Sequence, residues 1–269
     1  IMAAEIGRWA RTDIALCGDA REGIADLREA LSDGAEKRRS GRAGFITEIS
    51  AGKAKWRAEV EERLTSDEVP VNMARMVHEL NNVLPEDAIL VADGGFAAHW
   101  TGLIYDTKKA GRGYIPDRGM ASIGYGVSGG IGAQLAAPDR PVFTLTGDGG
   151  LNMTLGDLET AARLKVPVTV LVVNNAASGY IKALQHAMFG GRYQSADLSE
   201  LNYANIAENL GCRGIRVEHP DQLAPAFRTA LENRDKPNVI DIVVTRDAGK
   251  MLPGVDNRTA PIKKGDRIA

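Results

Sequence analysis

The chain has almost no cysteine: Cys17 and Cys212, far apart, are the whole supply. Two such residues make neither a disulfide framework nor a zinc site. They fit a reducing cytoplasm, which is the expected location. Net charge is nearly absent too, with 33 lysines and arginines against 35 aspartates and glutamates. That balance gives no electrostatic case for nucleic acid or an anionic membrane as partner. No apolar run reaches the length of a membrane span. No signal peptide is visible, and the start reads as internal to something longer. No Gly-Lys-Ser/Thr phosphate loop occurs, which disfavours a P-loop nucleotide site. A nicotinamide dehydrogenase would need Gly-x-Gly-x-x-Gly after a first strand. Gly124-Tyr125-Gly126 comes closest, but Gly129 lies in a small-residue helix and no β-type run precedes it. Internal repeats are also missing.

What is present is the composition of a soluble globular protein, 44% hydrophobic and 25% charged. Strand-like and helix-like segments alternate along most of it. Residues 12–17 read as a short strand and Asp19 to Leu31 as an amphipathic helix with Ile24, Leu27 and Leu31 on one face. A lone strand and helix cannot form a core, so residues 1–33 read as the end of a larger domain. Residues 34–68 are polar and charged, a linker with an exposed helix over 53–64. Arg38, Arg39, Arg42, Lys53 and Lys55 make it locally basic, as a solvated surface is. The main domain spans 69–247 and a tail follows over 248–269. Its helices are expected at 71–84, 96–105, 124–137, 151–165, 181–188, 203–210 and 222–233. Its strands are expected at 88–92, 141–146, 167–173, 213–217 and 238–244. This alternation implies an α/β fold: a doubly wound, six-stranded parallel sheet with helices on both faces.

Two polar motifs end two neighbouring apolar runs. Pro141 to Thr146 runs into Gly147-Asp148-Gly149, and Pro167 to Val173 runs into Asn174-Asn175, with residues 150–173 between the motifs. Strand, helix, strand makes a right-handed βαβ unit. A carboxylate and an amide therefore sit at the carboxyl ends of adjacent strands, where open α/β sheets bind ligands. One carboxylate with neutral oxygens is what magnesium favours when a phosphate fills the rest of its shell. Asp148 offers the charge, Asn175 an amide oxygen and a nearby backbone carbonyl a third ligand. Gly150 and Asn152 open the following helix, whose N–H groups suit a diphosphate.

This spacing resembles the diphosphate-and-metal motif of thiamine diphosphate enzymes. Gly124-Tyr125-Gly126 with Gly132-Ala133-Gln134, Asn152-Met153-Thr154 and Gly179 resemble the acetolactate synthase-like branch. The likeness covers about 69–247 and, more weakly, 1–33. It implies thiamine diphosphate and Mg2+ as cofactors. It implies Ala177 as the residue whose carbonyl completes the metal shell beside Asp148 and Asn175. Ile123 would prop the cofactor's two rings into a bent shape, and a β-branched side chain is stiff enough for that. The Ala121 carbonyl would bond the aminopyrimidine edge. Gly147, Gly149 and Gly179 belong to the same cofactor loops. Tyr180 and Leu184 would line the substrate pocket, with His186 near its entrance.

The resemblance also implies a missing half. The glutamate that hydrogen-bonds the aminopyrimidine comes, in this superfamily, from a pyrimidine-binding domain usually on another subunit. No second βαβ domain is present to supply it. A chain or segment carrying that domain is the expected partner, in a homo- or hetero-oligomer of such pairs. The implied reactions are decarboxylation or carboligation of 2-keto acids. Two departures point away from acetolactate synthesis itself: Phe96-Ala97-Ala98-His99 replaces the usual glutamine and histidine, and Leu184 stands where a tryptophan selects the second keto acid. A 2-hydroxyacyl-CoA lyase or oxalyl-CoA decarboxylase-like enzyme is the alternative within the class. A non-catalytic cofactor-binding module is the alternative outside it. Of the four histidines, His78 and His219 read as structural or solvated, and His99, on the ligand side of the sheet, as a proton donor to substrate.

Overall fold

The computed structural model describes residues 2–251. The chain divides into two compact units, Ile1–Val60 and Glu61–Ala269. In the first unit, α1 (Ala20–Ala30) starts where expected. Asp19 caps it, its carboxylate accepting from the N–H groups of Arg21 (2.9 Å) and Glu22 (3.2 Å). The apolar positions Ile24, Leu27 and Leu31 are exposed. The strand expected at 12–17 is not formed; that stretch is irregular and exposed. A strand takes its backbone hydrogen bonds from a neighbouring strand, and the first unit has no other strand among the described residues. Of the expected strand and helix, only the helix is formed. α2 (Ala35–Gly41) and α3 (Ala43–Leu64) occupy the stretch expected as linker, α3 taking in the helix expected at 53–64.

The second unit runs α4 (Met73–Val83), β1 (Ile89–Ala92), α5 (Phe96–Ile104), β2 (Tyr114–Pro116), α6 (Tyr125–Ala136), β3 (Val142–Gly147), α7 (Asp148–Thr154), α8 (Asp157–Arg163), β4 (Thr169–Asn174), α9 (Gly179–Phe189), α10 (Tyr203–Asn209), β5 (Arg213–Val217), α11 (Leu223–Glu232), β6 (Asn238–Val243) and α12 (Ala248–Met251). The six strands form one all-parallel sheet in the order β2-β1-β3-β4-β6-β5. The sixth strand, β2, is the one that sequence patterning did not locate. It has three half-buried residues, too few to show a period, and it ends in Pro116, which an edge strand tolerates. The expected helix over 151–165 is two helices. The break falls at Leu155-Gly156, and glycine is the weakest helix former after proline. Beyond α12 the expected tail lies outside the described residues. No helix among them is long and apolar enough to cross a membrane.

Side-chain alternation places the core. Ile89, Val91, Val142, Val170, Val172 and Val239 share one sheet face with Val127 of α6, Leu151 of α7, Leu158 and Ala161 of α8, and Tyr203 and Ala207 of α10. Within β3 the same face carries Thr144 and Thr146, both buried. The Thr144 hydroxyl donates to the Gly126 carbonyl at 2.7 Å. A Cβ on Gly130 would lie 2.8 Å from Thr144 Cγ2, so the small residues of α6 let it press close to β3. The chain passes from β1 outward to β2 and then back across to β3. The strand order therefore reverses between β1 and β3, and a crevice opens at their carboxyl ends.

Candidate functional site

Three strand ends meet at that crevice. β1 delivers Asp93, β3 runs into Asp148, and β4 ends at Asn174 with Asn175 next. Asp148 is the first residue of α7 and is 2% exposed. Its Oδ1 accepts from the Gly149 N–H at 2.8 Å. Its Oδ2 is buried without a hydrogen-bond partner. Burial raises its pKa from 3.8 to about 6, although the N–H groups of Gly149, Ala176, Ala177 and Asn175 ease the charge. Those of the β4–α9 loop act on it electrostatically without bonding Oδ2.

The β4–α9 loop faces this carboxylate in a fixed shape. The Asn175 Oδ1 accepts from the Ala177 N–H at 3.2 Å, and Ala176 adopts φ 49° to make the turn. Ala177 forms an antiparallel bridge with Asp197, flanked by Ser178 N–H to the Ala196 carbonyl (2.7 Å) and Leu198 N–H to the Ala176 carbonyl (2.8 Å). In such a pair the central residue's own N–H and C=O point away from the opposite segment. The Ala177 carbonyl is therefore turned out of the pairing. Gly179 permits the close packing here: a Cβ would sit 2.7 Å from Asn175 Nδ2.

Asn174 has a different job from its neighbour. Its Nδ2 donates to Asp241 Oδ1 (2.9 Å) and to the Leu201 carbonyl (2.9 Å). Asp241 is wholly buried on β6 and also accepts from the Tyr203 N–H (3.0 Å) and the Arg216 guanidinium (2.6 Å). This network fixes the end of β4 and the segment that leads into α10. Tyr203 in turn donates its hydroxyl to Asn152 Oδ1 at 3.0 Å, which ties α10 to α7. Burial, and then the Asp148 charge, push the Tyr203 phenol up to about 12. It stays a neutral donor.

No group of three or more His, Cys, Asp or Glu side chains suited to a metal occurs among the described residues. A cation here would instead find one carboxylate and neutral oxygens, the set magnesium takes alongside phosphate. The unpartnered Asp148 Oδ2 fits that role.

Residues 93–242 match the family described as Thiamine pyrophosphate enzyme, C-terminal TPP binding domain. The chain belongs to this family. It is 30% identical over 251 residues to Bacillus subtilis YdaP, named as a candidate thiamine pyrophosphate-containing protein, covering 93% of this chain and 42% of that one. It is 29% identical over 250 residues to the acetolactate synthase large subunit of Corynebacterium glutamicum, covering 91% and 39%. Among solved structures, the thiamine diphosphate-dependent 4-hydroxybenzoylformate decarboxylase of Rhodococcus jostii RHA1 superposes with a TM-score of 0.63 at 27% identity, over 69% of this chain and 34% of that one. The chain thus spans about two fifths of the curated relatives' length.

In this thiamine pyrophosphate-binding domain the remaining expected site residues fall as follows. Gly147 caps α7, and Gly149 and Gly150 form its first turn, where N–H groups lack helical partners. Asn152 is the fifth residue of α7, where helical pairing takes the N–H, so its contribution is the side-chain bond to Tyr203. Ala121 adopts φ 51° in the loop before α6, and Ile123 is 49% exposed at the same sheet end, not core. Tyr180 opens α9 and packs against Phe96 (5.2 Å between ring centroids) and His99 (5.4 Å). His99 therefore stands beside the β4–α9 loop, on α5. His186 lies farther along α9, its Nδ1 2.8 Å from the Tyr193 hydroxyl. Sequence reasoning missed Asp93, Thr146, Tyr203 and Asp241. Asp93 directly follows the strand expected at 88–92, and Asp241 falls inside the one expected at 238–244, with no role inferred for either.

Proposed function

We propose that this domain holds thiamine diphosphate through Mg2+, as the diphosphate-binding half of an enzyme acting on 2-keto acids or related carbonyl substrates. The carrying observation is Asp148: buried, with one carboxylate oxygen unpaired and the pKa raised to about 6, next to the Asn175 loop. Asp148, the Asn175 amide oxygen and the Ala177 carbonyl would hold the metal. The Gly150 N–H would face the diphosphate, the Gly149 N–H being held by Asp148 Oδ1. The Ala121 carbonyl and the Ile123 side chain would meet the ring half. When bound, the cofactor supplies an electron sink for breaking a bond next to a carbonyl. The Phe96–His99–Tyr180 cluster would line the substrate side, with His99 placed to hold or deliver a proton. The likeness to a decarboxylase and to an acetolactate synthase subunit supports decarboxylation or carboligation. A cytoplasmic location agrees with the two free cysteines.

The pyrimidine-binding partner belongs to the same proposal. The chain is expected to work in an oligomer in which a glutamate from that domain docks against the strand ends. Calorimetry of thiamine diphosphate into the protein, with magnesium and then with chelator, tests the site. Asp148→Ala should abolish the metal-dependent binding, and unchanged affinity would sink the assignment. Carbon dioxide release from pyruvate tests the assembly. The 269-residue chain alone should be inactive and regain turnover with a chain carrying the pyrimidine-binding domain. Acid–base help of the missing kind is worth about a hundredfold to ten-thousandfold. Robust turnover by the chain alone would mean that one of its own carboxylates does the work.

A further inference from the structure

Asp93 has no part in the function above, yet it is wholly buried at the end of β1. Its Oδ1 accepts from the Gly94 N–H (2.7 Å) and the Gly124 N–H (3.0 Å). Its Oδ2 accepts from the Gly124 N–H (3.1 Å) and the Thr146 hydroxyl (2.5 Å). One carboxylate thus ties together the ends of β1 and β3 and Gly124, the residue that caps α6. Burial raises its pKa, and these donors pull the other way. A buried carboxylate costs stability unless it is hydrogen-bonded, and here both oxygens are occupied by protein donors.

The surroundings are fitted to it. A Cβ on Gly150 would lie 2.6 Å from Asp93 Oδ2, and one on Gly94 would lie 2.5 Å from the Ala121 carbonyl oxygen. The end of β1 is therefore pressed against the loop that carries Ala121 and Ile123. That loop has little else to define it. Its turn bond, Tyr125 N–H to the Ser122 carbonyl, is long at 3.4 Å, and the Gly124 carbonyl takes the Thr154 hydroxyl at 3.2 Å. Ala121 is held at φ 51° and Gly124 at φ 96°, both left-handed. An L-residue held there needs surroundings that enforce the conformation.

We propose that Asp93 is a positioning residue: by gripping the Gly124 N–H it sets the loop 119–124, and so places the Ala121 carbonyl and the Ile123 side chain for the ring half of thiamine diphosphate. The inference rests on the thiamine diphosphate reading of the site. It separates two parts of one ligand: α7 and the β4–α9 loop take the diphosphate, and Asp93 acts chiefly on the rings, through the loop it holds.

Calorimetry on the intact protein in magnesium, with inorganic pyrophosphate and thiamine diphosphate titrated separately, distinguishes the parts. A wild type that binds neither ligand overturns the thiamine diphosphate reading itself. A wild type that binds both equally overturns the role of the loop. The expected wild type prefers thiamine diphosphate. Asp93→Ala should lose about tenfold or more of that affinity while pyrophosphate stays within about threefold. Asp93→Asn keeps an oxygen for the Gly124 N–H and should restore thiamine diphosphate binding to within about threefold of wild type. Equal losses for both ligands, no loss in Asp93→Ala, or no rescue by Asp93→Asn refutes the proposal. Should Asp93→Ala fail to fold, hydrogen exchange of the wild-type Gly124 amide decides: strong protection is expected, and exchange at the rate of an unstructured peptide overturns it.

Discussion

Removing the Asp148 carboxylate should stabilise the cofactor-free protein while destroying its ability to load. The group is 2% exposed, its Oδ2 is unpaired, and its pKa is raised from 3.8 to about 6. Below 3.8 the carboxyl is protonated in folded and unfolded chains alike, and the shift contributes nothing. Between 3.8 and about 6 the folded state keeps a proton that the unfolded state has released, so stability falls as pH rises. Above that window both states are ionised and the folded state carries the whole penalty, about 3 kcal/mol at roughly 1.36 kcal/mol per pKa unit. Asp148→Ala removes the titration. The unfolding free energy of the variant minus that of the wild type should climb by about 3 kcal/mol from about pH 3 to about pH 8, whatever its starting value. Urea denaturation in chelator measures it. For a unit of this size the swing corresponds to roughly 6–12 °C in Tm. Saturating magnesium and thiamine diphosphate should reverse the order. Ligand at about a thousandfold its Kd adds about 4.1 kcal/mol to the wild type, more than the penalty of about 3 kcal/mol, and the variant gains none. A difference that stays flat across pH would refute the buried, unpaired carboxylate on which the proposed metal site rests.

Gly179→Ala places a Cβ 2.7 Å from Asn175 Nδ2 and should displace the amide. Metal-dependent affinity is expected to fall about tenfold, with unfolding free energy within about 1 kcal/mol of wild type because alanine also favours the helix it begins; unchanged calorimetric affinity would remove Asn175 from the site. Asp241→Leu leaves Arg216, Asn174 and the Tyr203 N–H without their buried acceptor and should cost about 3–5 kcal/mol. The urea midpoint reports it, and a loss under about 1 kcal/mol would show that the network does not hold the end of β4.

Much of this was legible in the sequence because two periodicities do most of the specifying. β1, β3, β4 and most of β6 are apolar runs between turn formers, and the helices α4 and α11 repeat apolar residues at helical spacing. The polar ends of β3 and β4 stood out because each motif closes such a run. What escaped detection depends on partners distant in the chain. β2 owes its existence to the edge of β1, not to its own three residues. Asp93 and Thr146 become a pair only when β1 and β3 lie side by side. The strand expected at 12–17 failed for the converse reason: a β-like sequence with no neighbour to pair with. Asn174 and Asn175 were read as one motif, but alternation along β4 sends the first toward Asp241 and leaves the second at the loop.

The strand order also dictates when the site comes into being. β4 lies between β3 and β6, and β6 is synthesised after the other five described strands. During synthesis Asp148 and Asn175 leave the ribosome well before Asn238–Val243. Until then β4 presents an open edge of valines and leucine, and the Asn174 amide lacks its Asp241 acceptor. An unpaired apolar strand edge invites pairing with other chains. A nascent chain therefore carries both expected metal ligands in an unformed loop and at an aggregation-prone edge. Truncation anywhere before the end of β6 would leave that condition permanent, with every motif residue present and no site. On the proposed reading, loading of cofactor waits for β6, and the quality of the diphosphate site becomes a readout of whether that strand has reached its place.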